Sequence, residues 1–118
     1  MAKHNETGIK GEQIAENFLL KKGYEVLHRN WRFEKKEVDL IVLKEGVLVF
    51  VEVKTRKNND FGFPEEAVTR VKAELLKTAA EAFLSAFPIY ERIQFDIISI
   101  VLNNGHVREV QHFEDAFY

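Results

Sequence analysis

Asp39, Glu52 and Lys54 are charged residues set into or at the end of two of the most apolar stretches of the chain, Val38–Leu43 and Val47–Lys54. Charges embedded in such runs need a partner or a metal ion, because an unpaired buried ion is costly. Two carboxylates and one ammonium group are also the set that metal-assisted phosphodiester hydrolysis employs. Hard oxygen donors hold Mg²⁺ or Mn²⁺, the ion activates water, and the cation offsets charge developing on a phosphate. The competing interpretation is structural, with Glu37 paired to Lys54 and Asp39 to a neighbouring base at a sheet's end.

The elements around these residues decide whether they can meet. Lys44-Glu45-Gly46 is a short turn joining a strand over Glu37–Leu43 to one over Val47–Lys54. With Glu45-Gly46 as a two-residue turn, Lys44 faces Val47. That register puts Asp39 opposite Glu52 and Glu37 opposite Lys54, with Cβ atoms about 4.5–5.5 Å apart. By alternation Glu37, Asp39, Ile41 and Leu43 share one face, and Leu48, Phe50, Glu52 and Lys54 share one on the next strand. Both faces are largely apolar, which predicts helices on both sides.

Thr7 caps a helix over Gly8–Lys22 that Gly23 ends, with Ile14, Ala15, Phe18 and Leu19 as its stripe. Tyr24–Asn30 alternates as a strand, with Tyr24, Val26 and His28 on one face. Residues 55–63 form a polar loop. Pro64, Glu65 and Glu66 open a second helix whose apolar positions are Val68, Val71, Leu75, Ala79, Ala82 and Phe83, ending at Pro88. Phe95–Leu102, a turn at Asn103-Asn104-Gly105, and His106–Val110 complete the chain. The order α-β-β-β-α-β-β predicts an α/β helix–sheet sandwich, and the helix between the third and fourth strands implies a mixed central sheet.

A length of 118 residues predicts one domain. The absence of cysteine excludes disulfides, zinc–thiolate sites and thiol nucleophiles. The four histidines, His4, His28, His106 and His112, have no ligand spacing. The first 13 residues carry no apolar stretch, and the longest apolar run, Val47–Val51, has five residues, so a cytoplasmic protein without a membrane segment is expected. A net charge of −2 gives no overall basic footprint for nucleic acid. The basic residues are local instead. Thr55, Arg56 and Lys57 directly follow Lys54 and would lie beside a bound backbone. Arg29 and Arg32 flank Trp31, a pattern suited to phosphates and base stacking, although Trp31 is equally a core residue. Lys72, one turn past Val68, faces either the reaction centre or solvent. Asp96, next to Phe95, is expected to pair structurally.

Glu37-Val-Asp39-Leu-Ile followed by Glu52-Val-Lys54 resembles the D-x(n)-E-x-K signature of PD-(D/E)XK, or restriction-endonuclease-like, nucleases. The resemblance extends over residues 8–118 through Gly11-Glu12, Ala15, Leu19, Gly23-Tyr24, Arg29-Asn30-Trp31-Arg32, Pro64 to Val68, and Lys72, and it is to the YraN-like family of small bacterial proteins, whose fold is similar to archaeal Holliday junction resolvases. It implies metal ligands at Asp39 and Glu52, a catalytic lysine at Lys54 and an additional acid, Glu12, from the first helix. It further implies a Mg²⁺ or Mn²⁺ cofactor, a DNA substrate of branched or structured form, and a homodimer matched to the two symmetric strands of a junction. The alternative is a nucleic-acid-binding module that keeps the fold without cleaving. Two positions depart from the pattern: Lys36 precedes Glu37 where family members commonly have glycine, and Gln94 replaces an arginine before Phe95-Asp96.

Overall fold

In the computed structural model, which describes residues 6–57 and 70–117, helix α1 covers Glu6–Lys21. It ends where the chain first needs a left-handed residue. Gly23 takes φ +92°, and the amides of Gly23 and Tyr24 donate back to the carbonyls of Leu20 and Leu19, each at 3.1 Å. This double closure satisfies carbonyls that a helix end leaves open, at a position without a Cβ penalty. Ala15 and Leu19 are buried as expected, with Ile14 and Phe18 beside them.

Strands β1 (Glu25–Phe33), β2 (Lys36–Lys44) and β3 (Val47–Lys57) follow, then α2 (Arg70–Ala86), β4 (Arg92–Asn103) and β5 (His106–Phe117). The element order is the predicted one. The sheet runs β1-β2-β3-β4-β5 and is mixed, with β3 and β4 parallel and every other neighbour antiparallel. Glu45 and Gly46 have φ of +51° and +81°, and Asn104 and Gly105 +53° and +80°. Both hairpins therefore close on turns whose two central residues are left-handed, the twist that antiparallel strands accept.

Several boundaries differ from the sequence expectation. Thr55, Arg56 and Lys57 are strand residues, not loop, because β4 offers a parallel partner as far as Lys57–Leu102. Likewise β5 continues past Val110 to pair Phe117 with Phe95. The helix start expected at Pro64, including Val68, falls outside the described residues. The buried face of α2 is Leu76, Ala79, Ala80 and Phe83, whereas Val71 is 70% exposed and Leu75 45%. Ala79 and Phe83 of the expected stripe are thus buried, and Leu76 and Ala80 complete the buried face in place of Val71 and Leu75.

Each sheet face carries its own core. On the α1 side Ala15, Leu19 and Tyr24 meet Leu40, Val42, Val49, Val51, Ile98, Ile100 and Leu102. On the α2 side Leu76, Ala79, Ala80 and Phe83 meet Val38, Ile41, Leu48, Phe50 and Phe95. Phe83 is the hub, with ring centroids of His28 and Trp31 at 5.3 Å and Phe50 at 5.8 Å. Trp31 is accordingly a core residue. His28 is on the opposite face from Tyr24 and Val26, not the same one, because a register shift between Val26 and His28 inserts an extra residue into β1. Among the described residues, no helix is long and apolar enough to cross a membrane.

Helix α1 approaches the sheet most closely at Gly11. A Cβ there would lie 2.8 Å from the Cβ of Thr55 and closer still to its hydroxyl oxygen. Alanine is the better helix former by about 1 kcal/mol, so propensity alone predicts that Gly11→Ala stabilises the fold. The steric contact predicts the opposite. Urea denaturation should show a loss of about 1–3 kcal/mol, the usual cost of overpacking; an unchanged or higher midpoint would contradict this packing.

Candidate active site

Strands β2 and β3 pair in the expected register from Lys44–Val47 to Leu40–Val51, and there the ladder ends. Asp39 consequently does not face Glu52 as a strand partner, nor Glu37 Lys54. Instead Asp39 Oδ2 accepts a hydrogen bond from the Val53 amide at 2.7 Å, so a side chain takes the place of a missing ladder carbonyl. The same point is irregular on the other side. Asn30, between the pairs Arg29–Leu40 and Trp31–Val38, has φ +52°. Alternation breaks across it: Leu40 packs on the α1 side, while Val38 joins Ile41 on the α2 side. Asp39 still opens toward the α2 side, as Ile41 does, and it is Val38 that departs from the expected alternation. Asp39 sits at a kink where β2 changes faces.

β3 keeps its alternation. Leu48 and Phe50 point to the α2 core, and Glu52 continues that row with only 5% of its surface exposed. Asp39 and Glu52 thereby line one cavity of about 300 Å³, together with Lys35, Lys36, Glu37, and Val71, Lys72, Leu75 and Leu76 of α2. Lys72 forms an ion pair with Glu52. Lys54 is exposed on the same strand and is not among the lining residues. Glu12, next to Gly11, acts on Asp39 through its charge.

Burial pushes the Asp39 carboxyl well above its usual range, and the negative charges of Glu52 and Glu12 raise it further. The Val53 amide and the Lys72 ammonium oppose that shift. Two carboxylates that repel one another inside a shared cavity are a donor set that a divalent cation would relieve. Mg²⁺ takes one or two protein carboxylates and fills its remaining positions with water and phosphate, so Asp39 and Glu52 fit it. Among the described residues no group of three or more His, Asp or Glu side chains is arranged to hold a metal ion, so Glu12 does not complete a three-acid cluster.

The remaining candidates are dispersed. Arg29 makes a two-pronged pair with Glu16 of α1, both contacts 2.6 Å, which holds the Glu16 carboxyl below its usual range. Arg32 is exposed on β1 and stands across from Glu37 in the β1–β2 register. Thr55 packs under Gly11, and Arg56 is partly buried. Lys57 lines a separate cavity of about 600 Å³ with Lys10 and Asn103. Sequence reasoning passed over Lys35 and Lys36 at the cavity rim. Their signal was the tight connection between β1 and β2, where Phe33 pairs with Lys36 immediately before Glu37.

Asp96 is fully buried and structural, as expected. Its Oδ1 accepts from the Gln94 side chain and the Asp115 amide, both 2.9 Å, and its Oδ2 from His112 Nε2 at 2.7 Å. Lys22 Nζ lies 2.9 Å from His112 Nδ1 and must donate to it, which leaves Nε2 as the protonated nitrogen. Gln94, the departure from the family pattern, thus serves this buried acid.

The raised Asp39 carboxyl carries a stability consequence. Between its unfolded pKa, about 3.9, and its higher folded value, the folded chain binds more protons than the unfolded one. Stability therefore falls as pH rises through that window, and the penalty is complete above it. Asp39→Asn retains an acceptor for the Val53 amide and removes the charge. In the metal-free protein at pH 8 it should raise Tm by a few degrees, with the gain vanishing toward pH 4. A lower Tm at both pH values would show that Asp39 is not held at an energetic cost.

Residues 11–100 match the family described as Uncharacterised protein family UPF0102. A UPF0102 protein of Flavobacterium psychrophilum, FP2501, is 44% identical over 118 residues, covering 100% of this chain and 98% of its own. One from Bacteroides thetaiotaomicron is 45% identical over 118 residues, covering 100% of this chain and 97% of its own. Among solved structures, Pyrococcus furiosus SfsA in complex with Ca²⁺ aligns with a TM-score of 0.36 and 16% identity, over 90% of this chain and 62% of that one. With a family match over most of its length and relatives above 40% identity end to end, the chain belongs to the UPF0102, or YraN, family.

Proposed function

We propose that this protein is a Mg²⁺- or Mn²⁺-dependent endonuclease that hydrolyses phosphodiester bonds in DNA of branched or otherwise structured form. The observation that carries the proposal is the meeting of Asp39 and Glu52 in one cavity at the point where β2 and β3 part. Structural acids in this chain are treated differently: Asp96 receives three hydrogen bonds, whereas Asp39 is left against a second carboxylate.

In this reading Asp39 and Glu52 hold the ion, and the Val53 amide fixes the orientation of Asp39. A divalent ion there supplies Lewis-acid stabilisation of phosphate oxygens and favours ionisation of water near neutral pH. Lys54, exposed two residues beyond Glu52, offsets charge developing on the phosphate. Lys35, Lys36 and Lys72 at the cavity give the phosphate backbone a basic approach, while Arg56 and Lys57 extend it along β3. Glu12 supplies further negative charge behind Asp39. A homodimer would present two such sites to the paired strands of a junction. The net charge of −2 favours a second reading, a weakly binding module that does not cut; its mark would be salt-sensitive DNA binding without metal-dependent cleavage.

A labelled four-way junction with Mn²⁺ distinguishes these readings. The wild-type protein should cleave it, and Glu52→Ala and Lys54→Ala should each slow cleavage on the order of 10²-fold or more. Cleavage at equal rates by all three would remove the assignment.

A further inference from the structure

Glu52 is 5% exposed, too deep for water alone to satisfy its charge, and Lys72 supplies the counter-charge. The two side chains differ in freedom. Lys72 stands on the first described turn of α2, 41% of its side chain exposed, beside Val71 at 70%. Its head is a compact ammonium on a flexible four-carbon stem, so it can leave Glu52 for solvent at the cavity mouth without disturbing the core. Glu52 cannot follow, being fixed on β3, where it pairs with Ile97 of β4 and is 5% exposed.

We propose that Lys72 is a displaceable counter-cation: its ammonium holds Glu52 in the metal-free protein and yields that carboxylate when a divalent ion enters. This rests on the nuclease reading and deepens it. The ammonium and the ion compete for the same oxygens, so Lys72 weakens metal binding while protecting the acids from mutual repulsion in its absence. Once displaced, the ammonium remains at the rim near Lys35 and Lys36, where a phosphate group would stabilise it. Metal and nucleic-acid backbone should therefore bind with positive coupling, each favouring the state the other requires.

The test is a calorimetric titration of Mn²⁺ into metal-free protein, using wild type, Lys72→Met and Lys72→Gln, with Lys35→Met as a control for loss of a nearby charge. Both Lys72 variants should bind Mn²⁺ about tenfold tighter, and Lys35→Met within about twofold of wild type. In wild type, the ¹⁵N-detected ammonium resonance of Lys72, assigned by its loss in Lys72→Gln, should shift when diamagnetic Mg²⁺ is added. This second readout is taken on the wild-type chain, and the substitution serves only for the assignment. Wild-type binding with equal or weaker affinity in the Lys72 variants, or with a stationary ammonium resonance, would overturn the counter-cation role and leave the nuclease reading standing. Equal tightening by Lys35→Met would also overturn it, as a mere charge effect. No Mn²⁺ binding by any of the four proteins would overturn both.

Discussion

Two like charges are kept close together in a cavity where water screens them poorly, and the architecture around them is arranged to tolerate that. The Val53 amide donates to Asp39, and the Lys72 ammonium sits on Glu52. Neither contact removes the repulsion, since Asp39 is still pushed upward by Glu52 and Glu12. A carboxyl held in that condition is destabilising unless something binds there, and proteins commonly keep such sites for function. The site arises because the β2–β3 ladder stops at Leu40–Val51. Had pairing continued, a backbone carbonyl would have taken the Val53 amide and Asp39 would have lost its anchor.

The rest of the fold holds that opening in place. α1 lies against β3 through Gly11 and Thr55, which brings Glu12 toward Asp39. α2 covers the other face through Leu76, Ala79, Ala80 and Phe83, and its first described turns overhang Glu52. The parallel β3–β4 pairing, continuous from Val47–Arg92 to Lys57–Leu102, supports Glu52 and Lys54 from behind. Strand-borne groups on a sheet buried on both faces have little freedom to move apart, which is the condition a reactive pair of acids requires.

A second set of buried polar groups shows the contrast. Asp96, His112, Lys22 and Gln94 join the end of α1 to β4 and β5 in a chain of hydrogen bonds between 2.7 and 2.9 Å. Phe18 and Tyr24 meet the His112 ring in edge-to-face contacts, with centroids 6.0 and 6.1 Å away. Here every acceptor named is matched by a donor, so the network fixes geometry and stores no unrelieved charge. The acids on this sheet are thus separated into two kinds by their partners, with Asp96 fully matched by donors and the partly buried Asp39 set against a second carboxylate.

Hydrophobic alternation, turn residues and the glycine stop after α1 were enough to determine the element order, the tight β2–β3 hairpin and its register near the turn. They also marked Asp39, Glu52 and Lys54, because charges inside apolar strands conflict with local pattern. What they could not convey was where pairing ends. Alternation assumes an unbroken strand, and the left-handed Asn30, the β1 bulge and the early parting of β2 from β3 violate that assumption. The extension of β3 through Thr55-Arg56-Lys57 likewise depends on a partner strand about 45 residues further along the chain. The pairing of Lys72 with Glu52 lay beyond the sequence for the same reason: which face a helix turns toward a sheet, and how far along it contact is kept, follows from packing between distant segments rather than from periodicity within one.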